Sequence, residues 1–179
     1  MLELKNKLRL TPLTKTHAPK MFAWVSDPEI AGGIGLREAP SLEKTYRWIE
    51  RCAAADSGMR GFAVEWEGRH VGNVVLDRID GILKMARVSV YIGEKDCWGK
   101  GIAADALRLL ADEAFAAMGL DKLWLTVHVD NHRAIKLYEK IGFIQEGRLR
   151  EEFLIQGRRE DVYYFGLLKG EYPRSKDRA

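Results

Sequence analysis

The sequence predicts a mixed α/β fold, one sheet with helices on both faces. Three observations predict it. Short alternating apolar runs come in pairs joined by Glu67-Gly68, Asp80-Gly81 and Gln156-Gly157, residues suited to hairpin turns. Between the second and last pairs, a strand-like run meets a glycine-rich turn and is followed by a helical run, a strand and a further helix. The 179 residues, 46% hydrophobic and 31% charged, suit a single domain (residues 1–179) with a buried core.

Each element follows from its local pattern. Residues 7–13 read as a first strand, with Leu8 and Leu10 on one side. Thr14 or Thr16 caps a helix through about Val25, and Asp27-Pro28 breaks it. Residues 30–40, with Gly32, Gly33 and Gly35, read as a flexible loop. Ser41 opens a helix reaching about Asp56. Residues 61–66 and 70–76 form one hairpin, and residues 84–92 pair next through the Asp80-Gly81 turn. Ala103, Leu107, Leu110, Ala114 and Phe115 recur at helical spacing, so a helix runs over 103–118 and ends at Gly119. Residues 123–129 alternate as a buried strand. Residues 131–141 form a short helix closed by Gly142. Residues 143–155 and 159–168 make a closing hairpin, so the core spans about 8–168 and the charged tail 170–179 frays.

Composition excludes several classes. No apolar run approaches the ~20 residues that cross a bilayer, so no membrane partner is expected. Met1-Leu2-Glu3-Leu4-Lys5 has no apolar signal core. Cys52 and Cys97 are far apart and form no CxxC, which predicts a reducing, cytoplasmic setting. A net charge of +3 is too small and too dispersed for a nucleic-acid binder, and the five tryptophans form no stacking platform. His128 and His132 are four apart, but a strand-to-helix break falls between them and nothing completes a metal site.

The most informative segment is Trp98-Gly99-Lys100-Gly101-Ile102-Ala103. It joins a strand to a helix start, where unpaired N–H groups carry partial positive charge and glycines admit a ligand. Taken alone it is a site for any phosphate or pyrophosphate. Downstream stand Asn131-His132-Arg133-Ala134-Ile135-Lys136-Leu137-Tyr138-Glu139-Lys140-Ile141-Gly142-Phe143, then Glu146-Gly147 and Gln156-Gly157-Arg158-Arg159-Glu160-Asp161-Val162. The glycine turn resembles the acetyl-coenzyme A signature of the GCN5-related N-acetyltransferases, and the later segments resemble that family's second block and closing hairpin. Trp98, where a basic or amide residue is usual, resembles the branch like the ribosomal-protein alanine acetyltransferases. So does the exit of the first helix, Trp24 to Glu29. The resemblance covers about residues 8–168.

It implies about seven mostly antiparallel strands, four helices, and one parallel pair, residues 88–93 and 123–129, splayed apart to admit acetyl-CoA as cosubstrate. The turn from Trp98 through Gly99, Lys100, Gly101, Ile102 and Ala103 to Ala104 would donate backbone N–H groups to the coenzyme pyrophosphate, with Lys100 adding charge at the rim. The backbone at Tyr91, Ile92 and Gly93 would meet the pantetheine arm, and an N–H near Ile92 would polarise the thioester carbonyl. Asn131 and Tyr138, two helical turns apart, would face the cofactor. The resemblance makes Tyr138 the general acid that protonates the leaving thiolate, against the plainer reading of a ring packed in the core. Asn131 either holds the pantetheine arm or only caps its helix. Arg133 either reaches a phosphate or stays in solvent.

The general base is less legible. The branch often has a glutamate at the start of the central strand, where this chain has Arg87. Glu65, Glu94, His128 and Asp130 are the alternatives, and His128 is the one chosen as base, against the plainer reading of a structural histidine. The acceptor is a primary amine: an amino sugar, a protein N-terminus or a small molecule. The loop after Asp27 has little acidic charge to recruit a polyamine, and Arg148, Arg150, Arg158 and Arg159 form a basic group on the closing hairpin. Trp24-x-x-Asp27-Pro28-Glu29 also resembles acetyltransferases of amino sugars. Three readings remain: an N-acetyltransferase working by direct attack in a ternary complex, a silent coenzyme A-binding sensor or scaffold, or a nucleotide-phosphate binder. A homodimer is compatible with the family, although no interface is legible.

Overall fold

The computed structural model describes residues 2–4, 8–34, 38–155 and 157–173. They build one eight-stranded sheet: β1 (Leu2–Leu4), β2 (Leu8–Pro12), β3 (Arg60–Trp66), β4 (Arg69–Asp80), β5 (Met85–Ile92), β6 (Lys122–His128), β7 (Ile144–Ile155) and β8 (Arg158–Leu168). The order across the sheet is β1-β2-β3-β4-β5-β6-β8-β7. Every neighbouring pair is antiparallel except β5 and β6. The helices are α1 (Ala18–Val25), α2 (Pro28–Gly33), α3 (Leu42–Ala53), α4 (Ile102–Asp112) and α5 (His132–Ile141). The mixed α/β architecture is the expected one. The extra strand is the three-residue β1, and the extra helix is α2.

Two cores cover the two faces. On one, Leu107 and Leu110 of α4 pack with Ala86, Leu123, Leu125, Phe165 and Leu167. On the other, Met21 and Trp24 of α1 and Ile49 of α3 pack with Leu13 and Ala63. Burial of these side chains is the main force holding the layers together, at ~1.5–3 kcal/mol for each large apolar side chain removed from water.

Several local expectations change. Residues 28–33 are helical rather than loop. Asp27 is the reason, because its Oδ1 accepts the Glu29 N–H at 3.0 Å and Pro28 occupies the first helical position. Asp27-Pro28 therefore ends one helix and starts the next. The remainder of that loop, Gly35 to Arg37, lies outside the described residues. The helix read over 103–118 widens into a π turn at Glu113–Ala117. The tail is anchored at Tyr172, which is buried, sets its ring at a tilt 5.4 Å from that of Phe115 and donates its hydroxyl to the Arg108 carbonyl at 2.9 Å. Residues 174–179 lie outside the described residues.

One feature of the sheet positions everything that follows. β5 and β6 pair only at Met85↔Lys122, Ala86↔Leu123 and Arg87↔Trp124. Beyond Arg87, β5 continues against β4 and β6 continues against β8, but not against each other. The sheet thus opens between Val88–Ile92 and Leu125–His128. Backbone groups on the inner edges of that opening have no ladder partner, and buried backbone polar groups require one.

Candidate active site

The opening leads into a cleft of about 870 Å³. β5, β6, the N-terminal ends of α4 and α5, and α2 form its walls. The glycine turn stands at one end. Gly99 (φ 79°) and Gly101 (φ 80°) are both left-handed. A Cβ at either would meet nothing within 4 Å, so conformation rather than space requires glycine. Gly101 is the N-cap of α4 and has no side chain to cap it. The first N–H groups of α4, at Ile102, Ala103 and Ala104, thus retain their donor capacity beside the cleft. An anion of pyrophosphate type fits that cradle.

The turn is braced on β5. The Trp98 indole N–H donates to the Ile92 carbonyl at 2.8 Å. Arg133, at the start of α5, holds its guanidinium carbon 5.3 Å from the Trp98 ring. Trp98, Gly99, Gly101, Ile102, Ala103, Ala104, Tyr91, Ile92, Asn131 and Arg133 therefore converge on one cleft. Two residues of the expected set, Lys100 and Gly93, are not part of the cleft lining. Lys100 places its Nζ 4.8 Å from the Trp66 ring, away from the cleft wall. The Gly93 N–H donates to the Val71 carbonyl at 2.9 Å, and any Cβ at Gly93 would enter the Trp24 indole. Gly93 serves the packing of Trp24 on the sheet.

Tyr138 comes from the second turn of α5 and lines the cleft. It is 9% exposed, with its ring edge-on to Phe143 at 5.9 Å. Among the described residues its hydroxyl has no hydrogen-bond partner. Burial pushes its pKa up to about 12, so the phenol keeps its proton at neutral pH. Tyr91 is also held protonated by burial, but its hydroxyl accepts from Asn73 Nδ2 at 2.6 Å. Asn73 is fully buried and its Oδ1 meets His70 Nε2 at 3.0 Å. Nothing in the pattern of residues 70–76 signals this polar chain, because it exists only once β4 and β5 pair.

Asn131 caps α5, its Oδ1 accepting the Ala134 N–H at 3.1 Å. Its amide N–H groups remain available to the cleft. The cap predicts that Asn131→Ala costs about 1 kcal/mol, whereas Asn131→Asp keeps the acceptor and holds the melting temperature. Chemical denaturation of the two variants checks this.

Of the four candidate bases, His128 alone among the described residues lines the cleft. Its ring stands edge-on to Phe153 at 5.3 Å. Glu65 is bound by Arg9 at 2.8 Å and Thr11 at 2.9 Å on β3. Glu94 accepts from Trp24 and pairs with Lys20 at 3.0 Å. Asp130 does not share a strand face with His128, since β6 ends at His128 and Asn131 N–H closes a turn onto its carbonyl. Arg87 is bound by Asp77 through two hydrogen bonds, of 2.7 and 2.6 Å. No cluster of His, Cys, Asp or Glu among the described residues can hold a metal ion. Cys97 is buried at the turn, and burial pushes the Cys52 thiol up to about 11.

Three of the four arginines of the closing hairpin have partners within it. Arg148 binds Asp161 at 2.6 Å, Arg159 donates to the Glu151 carbonyl at 3.1 Å, and Arg158 faces Glu160 at 3.9 Å. The Glu151 N–H and then Arg148 hold the Asp161 carboxyl below its ordinary pKa.

A family model described as an acetyltransferase (GNAT) domain matches residues 7–144. The chain belongs to the GNAT acetyltransferase family. It is 36% identical over 118 residues to the spermidine N(1)-acetyltransferase of Vibrio cholerae serotype O1, covering 65% of this chain and 68% of that one. It is 28% identical over 182 residues to a putative ribosomal N-acetyltransferase, YdaF, of Bacillus subtilis, covering 98% and 93%. The fold superposes with a TM-score of 0.86 on the crystal structure of Vibrio cholerae spermidine N-acetyltransferase in complex with CoA and spermine, at 29% identity over 93% of this chain and 98% of that chain. This GNAT protein is an acetyl-CoA-dependent N-acetyltransferase acting on amines. The uncapped α4 and the unpaired edge of β5 fit such a cosubstrate: one offers donors for phosphates, the other backbone partners for an amide-bearing arm.

Proposed function

We propose that this GNAT enzyme transfers acetyl directly to a bound primary amine, with Tyr138 as general acid and His128 as general base. The observation that carries the reading is the buried Tyr138 hydroxyl, without a partner among the described residues, on the wall of the β5–β6 opening. Acetyl-CoA supplies an acyl thioester and a thiolate leaving group. The N–H groups of Ile102, Ala103 and Ala104, with Arg133, hold its phosphates. The β5 edge at Tyr91 and Ile92 aligns the arm, and Asn131 adds an amide donor. His128 takes the ammonium proton of the acceptor, directly or through water, and Tyr138 gives its proton to the departing sulfur. The C–N bond forms as the C–S bond breaks, and nitrogen loses two protons: His128 takes the first before attack and passes it to solvent, and the second leaves the acylated nitrogen and restores the proton that Tyr138 gives to sulfur, so each turnover yields one amide, one thiol and one proton. The 28% identity to a putative ribosomal acetyltransferase over nearly the whole chain supports the branch like the ribosomal-protein alanine acetyltransferases.

The test is release of free thiol from acetyl-CoA across amines, amino sugars and N-terminal peptides. Tight coenzyme binding with no turnover on any acceptor overturns the assignment as an active enzyme. His128→Gln is expected to lower kcat/KM by about 10–100-fold at neutral pH, with partial recovery as alkaline pH deprotonates the amine itself. A pH profile parallel to the wild type removes His128 from the base role.

A further inference from the structure

We infer that the acceptor amine also carries an anionic group, and that Arg78 receives it. This rests on the acetyl-transfer reading and names the substrate class of the same cleft.

The register of β4 against β5 breaks between Asp77 and Asp80. At the break Arg78 has φ 49°, a left-handed conformation that disfavours any residue with a Cβ. The bulge lets the Ile79 N–H reach the Gly58 carbonyl at 3.1 Å and sends the Arg78 side chain onto the cleft wall. Its guanidinium carbon lies 5.8 Å from the Trp124 ring, which stacks on Tyr164 at 5.1 Å with planes 13° apart. These residues lie on the sheet face that carries α3. The glycine turn and α5 belong to the opposite face, so Arg78 stands at the acceptor end and Arg133 at the coenzyme end.

Charge at this end is uncompensated. Arg87 lies 6.0 Å from the same ring but is neutralised by Asp77. Arg78 has no acidic partner among the described residues. The one carboxylate on the cleft wall among the described residues, Glu29, is bound by Lys95 at 2.7 Å. An acceptor with several ammonium groups, such as a polyamine, finds no free carboxylate among the described lining residues and meets a guanidinium, a repulsive element against it. An amine bearing a carboxylate or a phosphate finds a planar donor fork.

Matched acceptors test this in the thiol-release assay: glucosamine 6-phosphate against glucosamine, L-phenylalanine against L-phenylalaninamide, and spermidine. The amide is the better nucleophile at neutral pH, so a preference for the acid is a stringent result. The anionic member of one pair is expected to win by about tenfold in kcat/KM, and which pair responds separates phosphate from carboxylate. Arg78→Gly relieves the left-handed strain, so it folds at least as well, and it is expected to erase the preference with the acetyl-CoA KM unchanged. A preference for spermidine or for both neutral members, or a ratio that survives Arg78→Gly, overturns the proposal. If no amine turns over, the acetyl-transfer reading fails separately. Titration of the two sugars into the coenzyme A-bound protein then still decides Arg78: phosphate-dependent binding lost in Arg78→Gly supports it, and equal binding overturns it.

Discussion

Replacing Tyr138 by phenylalanine lowers kcat by about 10²–10³-fold while acetyl-CoA binding stays within about twofold. The substitution removes one oxygen and keeps the ring against Phe143 and Phe165. That oxygen is buried without a partner among the described residues, so its loss does not weaken the fold and raises stability by up to ~1 kcal/mol. A purely structural tyrosine gives a different result, with kcat unchanged. Single-turnover thiol release, coenzyme titration and thermal melting of the same variant separate the two. The pH dependence has a definite sign. The acid acts in its protonated form, and burial moves its pKa up to about 12. Its contribution is complete at neutral pH and is lost only as pH rises through that value. An alkaline limb that falls near neutrality in the wild type and disappears in Tyr138→Phe contradicts this assignment.

Replacing Gly93 by alanine is expected to cost about 2–3 kcal/mol and to lower the melting temperature of the ligand-free protein by roughly 5–10 °C. The new Cβ enters the indole of Trp24, which is 7% exposed and has little room to retreat. Trp24 is held edge-on to His70 at 4.7 Å and to Tyr91 at 6.1 Å, and its N–H reaches Glu94 at 3.2 Å. Displacing it disturbs α1, β4 and β5 together. The outcome discriminates between two roles for one glycine. If Gly93 served only close approach of the pantetheine arm, alanine would leave the melting temperature alone and raise the acetyl-CoA KM. Melting curves without ligand, beside KM measurements, decide between them.

Much of the fold was legible because its causes are local. Alternating runs marked the strands, and Gly99 and Gly101 marked the left-handed turn before α4. Asn131 and Gly142 marked both ends of α5, where they stand as N-cap and left-handed C-cap. The acetyl-CoA-dependent chemistry of amines followed from two blocks in the right order. The misreadings also have physical causes. Gly32 and Gly33 suggested a loop, but the Asp27 cap and Pro28 outweigh two glycines over a single short helix. Lys100 lies inside the glycine turn and Gly93 at the end of the strand before it, yet the neighbours of the Lys100 side chain and of Gly93 in space, Trp66 and Trp24, come from a distant strand and helix. Arg148 and Arg159 read as part of an acceptor patch because their partners, Asp161 and the Glu151 carbonyl, lie across the hairpin.

By itself the sequence determined the order of strands and helices, the donor cradle at the start of α4 and the amine-acetylating family. The first two depend on residue spacing within one or two elements, and the family on the resemblance of two sequence blocks. The tertiary structure alone decided the charge of the acceptor end. Arg87 is silenced by Asp77 across a strand pair, and Glu29 by Lys95, 66 residues away. Arg78 is left over at a bulge that only the pairing of β4 with β5 creates. Electrostatics in a cleft is a balance over distant residues, and no local pattern carries it.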